Sequence, residues 1–149
     1  MDALAGAVAF FDIGNTLASV VVPQSGDRIE RLTVFPDIPA VLGALADRGV
    51  RLGIISDRGV IPAEQVNQAL ADTGILDFFE PALIIYGKKD SPAVFELAAM
   101  QAGAPDPAPR LLFIGEDPAE RAQALRANFL VASHPRFALT VLERQIPRR

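Results

Sequence analysis

What most limits the fold of this chain is the alternation of short apolar runs with longer, helix-patterned stretches along its whole length. Residues 7–11 (AVAFF) form an unbroken apolar run, as expected for a strand buried on both faces. Residues 50–55 (VRLGII), 82–86 (ALIIY), Leu111–Ile114 (LLFI) and 129–132 read as four more core strands. Helical segments fall between them. One starts at Asp37 as a cap and runs to about Arg48, ending at Gly49; another spans 62–72 and stops at Gly74. A third opens on Ser91-Pro92, an N-cap followed by proline at the first helical position, and a fourth opens on Asp117-Pro118. Strands separated by helices call for a parallel sheet covered on both faces. The expectation is therefore a single α/β domain over 1–149, a doubly wound, five-stranded, Rossmann-like sheet.

Two stretches depart from that rhythm. Residues 19–22 and 29–35 flank the turn-rich PQSGD and read as a β-hairpin flap. The APDPAP segment reads as a loop, and RQIPRR as a basic tail after a short amphipathic element.

Composition narrows the chemistry. The 149 residues include no cysteine and a single histidine, His134. That excludes disulfides, thiolate sites and multi-histidine metal centres, and all but excludes a Ser-His-Asp triad. Carboxylates, lysines, hydroxyls and a hard cation held by oxygens remain. A net charge of -4 argues against nucleic acid or an anionic membrane as partner. No apolar run is long enough to span a bilayer, and the start lacks the basic flank of a secretory signal, so a cytoplasmic setting is expected.

In a doubly wound sheet, ligands bind beyond the carboxyl ends of the strands. Four polar residues fall there in succession: Asp12 after the first core strand, Ser56 after the second, Lys89 after the third and Glu116 after the fourth. A turn aspartate, a turn serine and a solvated helix-entry lysine are the plain alternatives for the first three, with Lys88 competing for the role of Lys89. His134 reads as an exposed loop residue.

In order and context these residues resemble the motifs of the haloacid dehalogenase (HAD) superfamily. FDIGNTL resembles its first motif, an apolar strand followed by DxDGT; GIISDRG resembles the second, a strand ending in a hydroxyl residue. KKDSPAVF resembles the third, a lysine before a P-x-x-F helix start, and FIGEDPAER resembles the fourth, a strand followed by GDxxxD. Phosphorelay receiver domains use similar residue types, but their aspartate follows the third strand, where this chain has YGKK.

The resemblance implies a magnesium-dependent phosphohydrolase acting through an aspartyl-phosphate on Asp12. Ser56 would donate to a phosphoryl oxygen and Lys89 would neutralise charge. Asp12, the Gly14 carbonyl and Glu116 would hold Mg2+, Thr16 would brace the loop, and the amides near Ile13 and Gly14 would face the phosphate. The substrate would be a phosphorylated small molecule or a phosphate exposed on a larger one.

Two departures from the family pattern bear on activity. Gly14 stands where the phosphatases carry their general-acid aspartate, with Asn15, Asp57 or a water as substitutes, so good leaving groups are favoured. Glu116 replaces the usual aspartate, and Glu120 has both a capping-box reading with Asp117 and a metal-supporting one. The gaps between motifs have room for the flap but no cap domain, so the site is expected to be open, suited to a large substrate or to closure by a partner subunit in a homo-oligomer. The competing implication is a degenerate member retained to bind a phosphorylated ligand or protein partner.

Overall fold

A computed structural model of the protein describes residues 2–103 and 110–146. APDPAP and the last three residues of the basic tail lie outside them. Seven strands alternate with five helices among the described residues: β1 (Val8–Phe11), β2 (Ala18–Val21), β3 (Arg31–Val34), α1 (Ile38–Asp47), β4 (Arg51–Ser56), α2 (Ala63–Asp72), β5 (Ile84–Tyr86), α3 (Ala93–Gln101), β6 (Leu111–Ile114), α4 (Pro118–Arg126), β7 (Leu130–Ala132) and α5 (Ala138–Gln145).

Five strands form one parallel sheet in the order β5-β4-β1-β6-β7. The chain winds outward from β1 through β4 to β5, then returns to the other side of β1 for β6 and β7. The winding direction reverses between β1 and β6, and crevices in such sheets open at that point. The doubly wound reading and the absence of a cap domain hold among the described residues: only the hairpin and α1 separate β1 from β4.

The reason for the unbroken apolar strands is visible in β1. Ala9 and Phe11 face a core built with Leu42 and Leu45 of α1, Val66 and Leu70 of α2 and Leu142 of α5. Val8 and Phe10 face the opposite core, with Val94, Phe95 and Ala98 of α3 and Ala124 of α4. There the Phe95 ring meets those of Phe113 and Phe129 edge-on, with centroids 5.0 and 5.6 Å apart. Every side chain of β1 is buried, so neither face tolerates a polar residue until the strand ends at Asp12.

β2 and β3 pair only with each other, as an antiparallel hairpin in the register Ala18↔Val34 to Val21↔Arg31. Val20, Leu32 and Val34 pack toward the α1/α2 core, while Ser19, Val21, Arg31 and Thr33 point to solvent. No helix among the described residues is long and apolar enough to cross a membrane.

Several local expectations are corrected. Asp37 occupies the N-cap of α1 but in a helical conformation, and its side chain makes no capping bond. Ser56 is the last residue of β4 rather than the first beyond it. The third core strand is shorter than the apolar run, because Pro81–Leu83 winds into a 3₁₀ turn. Pro92, not Ser91, holds the cap position of α3, although the Ser91 hydroxyl still accepts from the Ala93 amide at 3.3 Å. His134 is half-buried and Nδ1 accepts from the Arg136 amide at 3.0 Å, ordering the turn Pro135–Phe137.

Candidate active site

The strand ends bring three of the four singled-out residues into contact. Asp12 Oδ1 accepts from Ser56 Oγ at 3.1 Å, from Lys89 Nζ at 3.1 Å and from the Ile13 amide at 2.8 Å. These contacts arise from the sheet. β1 and β4 are neighbours, so their carboxyl ends place Asp12 beside Ser56, and the turn after β5 delivers Lys89 from the far side of β4. The Lys89 side chain is only 2% exposed, and its ammonium also lies 3.4 Å from the Ile55 carbonyl. A cation this deep needs a counter-ion, and Asp12 supplies it. All three donors converge on Oδ1, so none of them takes Oδ2.

The fourth residue is held differently. Glu116 is exposed, and its contact with the cluster is a long one, Asn15 Nδ2 to Oε1 at 3.5 Å. Asn15 itself sits in the left-handed region at φ 59, a conformation asparagine tolerates better than most residues. Gly14 has a conformation open to any residue, and a Cβ built there meets nothing within 4 Å. Gly115 is the reverse case: a Cβ would stand 2.8 Å from the Phe113 ring and 3.7 Å from the Asp12 Cβ. It is the buried Phe113 ring, rather than Asp12, that leaves no room for a side chain at Gly115.

Glu120 does not take the capping-box role and faces Lys89 instead. Asp117 caps α4 alone, accepting from the Ala119 amide at 2.8 Å. Glu120 turns instead to Lys89, with Oε1 3.4 Å from Nζ but outside hydrogen-bond alignment, so this buried oxygen has no hydrogen-bond partner. Burial holds the Glu120 carboxyl above the usual range; the charge of Asp12 adds to that, and Lys89 opposes it. Lys89 thus lies between two carboxylates.

Three expected roles are not met. Thr16 is buried, but its hydroxyl has no hydrogen-bond partner, so it packs in the loop rather than bracing it. The Ile13 amide is engaged by the Asp12 carboxylate. Asp57 is occupied as a turn residue, accepting from the Gly59 amide at 2.8 Å. Arg121 was missed: its Nη1 donates to the carbonyls of Gly115 and Glu116, both at 2.8 Å, and so fixes the loop that carries Glu116. Its signal was an arginine near the start of α4, where the helix dipole disfavours a cation.

The chemistry of the oxygen donors near Asp12 is the kind that magnesium takes. Among the described residues no cluster of three or more His, Cys, Asp or Glu side chains is arranged as a cage. Two carboxylates and a carbonyl are instead the sparse, all-oxygen set that suits an ion which keeps several waters and shares substrate phosphate oxygens.

A parallel sheet with an aspartate, a serine and a buried lysine gathered at its switch point is a doubly wound α/β architecture with a polar cluster where ligands bind in such sheets. Comparison with solved structures places the fold more closely, as HAD-like. A protein of unassigned function from Listeria monocytogenes serotype 4b matches with a TM-score of 0.75 at 15% identity, over 93% of this chain and 99% of that one. A HAD-superfamily hydrolase from Ehrlichia chaffeensis matches with a TM-score of 0.66 at 12% identity, over 96% and 98%. The 3-deoxy-D-manno-octulosonate 8-phosphate phosphatase of Moraxella catarrhalis, solved with magnesium, phosphate and its sugar, matches with a TM-score of 0.60 at 15% identity, over 96% and 90%. No known sequence family and no curated protein matches the chain by sequence.

Proposed function

We propose that the protein is a magnesium-dependent phosphohydrolase that works through an aspartyl-phosphate on Asp12. The observation that carries this reading is the convergence of Ser56, Lys89 and the Ile13 amide on a single oxygen of Asp12. That arrangement orients the carboxylate and leaves Oδ2 to attack phosphorus, dividing one difficult displacement into two easier ones. The Lys89 ammonium, with more than one N–H to give, would neutralise charge on a phosphoryl group, and the Ser56 hydroxyl would turn from Asp12 to donate to a phosphoryl oxygen.

Asp12, the Gly14 carbonyl and Glu116 are the residues that would hold Mg2+, which would supply Lewis-acid polarisation of the phosphoryl oxygens. Gly14 offers no proton to the departing oxygen. General acid catalysis of that kind is worth ~100- to 10,000-fold, so substrates with alkoxide leaving groups are disfavoured and acyl phosphates, aryl phosphates or anhydrides preferred. Magnesium-dependent hydrolysis of acetyl phosphate is the direct test. Asp12→Asn should lower kcat/KM by at least about 1,000-fold, and a variant as active as the parent overturns the assignment.

A second reading, a binding module for phosphorylated ligands or partners, is favoured by Gly14 and by the loosely held Glu116. It predicts phosphate binding with no turnover of any ester or anhydride.

A further inference from the structure

The rim that carries Asp12 opens onto two clefts of opposite character. One, of about 260 Å3, lies on the Lys89 side and is lined by Asp57, Lys88, Lys89, Asp90, Asp117 and Glu120. The other, of about 180 Å3, lies between the hairpin and α2. Its walls are mainly aliphatic, Val20, Val22, Ile29 and Leu32 from the hairpin with Ile61 and Val66 opposite, and the charged Asp57 and Arg58 stand at its edge with the strand ends. Gly14 and Ser56 also line it, and Ser56 Oγ is 3.1 Å from the Asp12 carboxylate. The apolar cleft therefore begins one side chain away from the proposed point of attack.

We propose that this cleft receives the leaving group, and that the substrate is an aryl or aroyl phosphate. The proposal rests on the reading of Asp12 as nucleophile and names its substrate class. Three observations carry it. A cavity of about 150 Å3 lined by aliphatic side chains is large enough for benzene, so this one admits a single ring. A sugar or other polyol would bring hydroxyls against valine, isoleucine and leucine, and each one left unpaired weakens binding by roughly tenfold. The site also lacks a side-chain acid at Gly14, and phenolates and carboxylates are the oxygen leaving groups that depart without a proton.

Arg58 adds to the fit. It lines the cleft, donates through Nη1 to the Ile61 carbonyl at 2.7 Å, and has a buried Nε with no hydrogen-bond partner. Its guanidinium offsets the Asp57 carboxylate that also lines the cleft, and it is the donor there that a departing oxyanion would meet. The bonds balance: an Asp12 carboxylate oxygen bonds to phosphorus as the bond from phosphorus to the leaving oxygen breaks. The electron pair departs on phenolate or carboxylate. Water then hydrolyses the acyl phosphate, returning Asp12 and inorganic phosphate.

Benzoyl phosphate and acetyl phosphate test the proposal, because their leaving carboxylates are similar in basicity and differ mainly in the ring. With magnesium present, kcat/KM for benzoyl phosphate should exceed that for acetyl phosphate by about tenfold or more. Phenylphosphonate, which is not turned over, should bind at least about tenfold tighter than methylphosphonate by calorimetry. Val22 is 46% exposed, so Val22→Asp places a charge at the cleft without disturbing the core, and it should bring both ratios toward one. Equal kcat/KM values, or equal phosphonate affinities, overturn the proposal while Asp12-dependent acetyl phosphate hydrolysis leaves the hydrolase reading standing. No hydrolysis of either acyl phosphate overturns that reading, and the substrate assignment falls with it.

Discussion

The two carboxylates that flank the switch point are held in opposite ways. Asp12 has a side chain only 15% exposed and three donors on one oxygen, one of them a buried ammonium. Glu116 projects into solvent with a single 3.5 Å contact from an exposed asparagine. The first is fixed by the packing of β1 against β4, both continuous with the core. The second stands on a loop anchored through its backbone by Arg121, which sets where the chain goes but not where the carboxylate points. The half of the site that would handle the phosphoryl group is organised by the protein itself, and the half that would handle a cation is left for the cation to organise.

Substitutions on either side can break that contrast. The largest effect is expected from Lys89→Met, which keeps the buried stem but removes the charge facing Asp12: acyl phosphate turnover should fall by roughly 100- to 1,000-fold at saturating magnesium. A loss of less than threefold would mean that the organised half is not organised for catalysis. Gly14→Asp comes next. The open space at Gly14 accepts a side chain, and the restored acid should raise alkyl phosphate hydrolysis by about 10- to 100-fold with little change for acyl phosphates. An equal gain on both would contradict the leaving-group argument.

Glu116→Gln should act on the other half alone. The magnesium concentration for half-maximal turnover should rise by about tenfold, with kcat at saturating magnesium nearly unchanged. A fall in kcat with no shift in magnesium dependence would place Glu116 on the phosphoryl side instead.

Glu120→Gln should have the smallest effect, and on stability. Burial keeps this carboxyl protonated more readily in the native state than its ordinary value of 4.5 allows. Native protein then binds more protons than unfolded chain as pH rises through the window above about 4.5, so stability is lost across it. Removing the charge should raise Tm at pH 7 by roughly 1–2 °C and change nothing below the window. An unaltered Tm at pH 7 would show that Lys89 fully compensates the burial.

Much of the site could be read from the chain because the strands are buried on both faces. Where such a strand ends, the first polar side chains mark the rim, and Asp12 and Ser56 stood out for that reason, whereas Lys89 was set apart from Lys88 by its spacing to Pro92 and Phe95. The doubly wound class followed from the same pattern, while the strand order came from the structure. What sequence could not supply was direction. Asp117-Pro118-Ala119-Glu120 fits a capping box, yet Glu120 turns away to a lysine contributed by another loop, a choice made by tertiary packing. Asp37 and Ser91 have the residue types of caps, but the backbone around them settles otherwise. Arg121 acts on carbonyls, which carry no side-chain signature at all. The apolar cleft was hidden for a related reason: the hairpin was legible, but which of its side chains would line a cavity depends on how it leans toward α2.

The central position of β1 has a consequence for how the molecule would come apart. β1 is bonded along both edges, whereas β5 is a three-residue strand at the margin of the sheet. Fraying begins at such margins and reaches the middle last. On gentle heating the Lys89 ammonium would drift off before Asp12 lost its footing, so the polar cluster would come apart while most of the tertiary structure still stood.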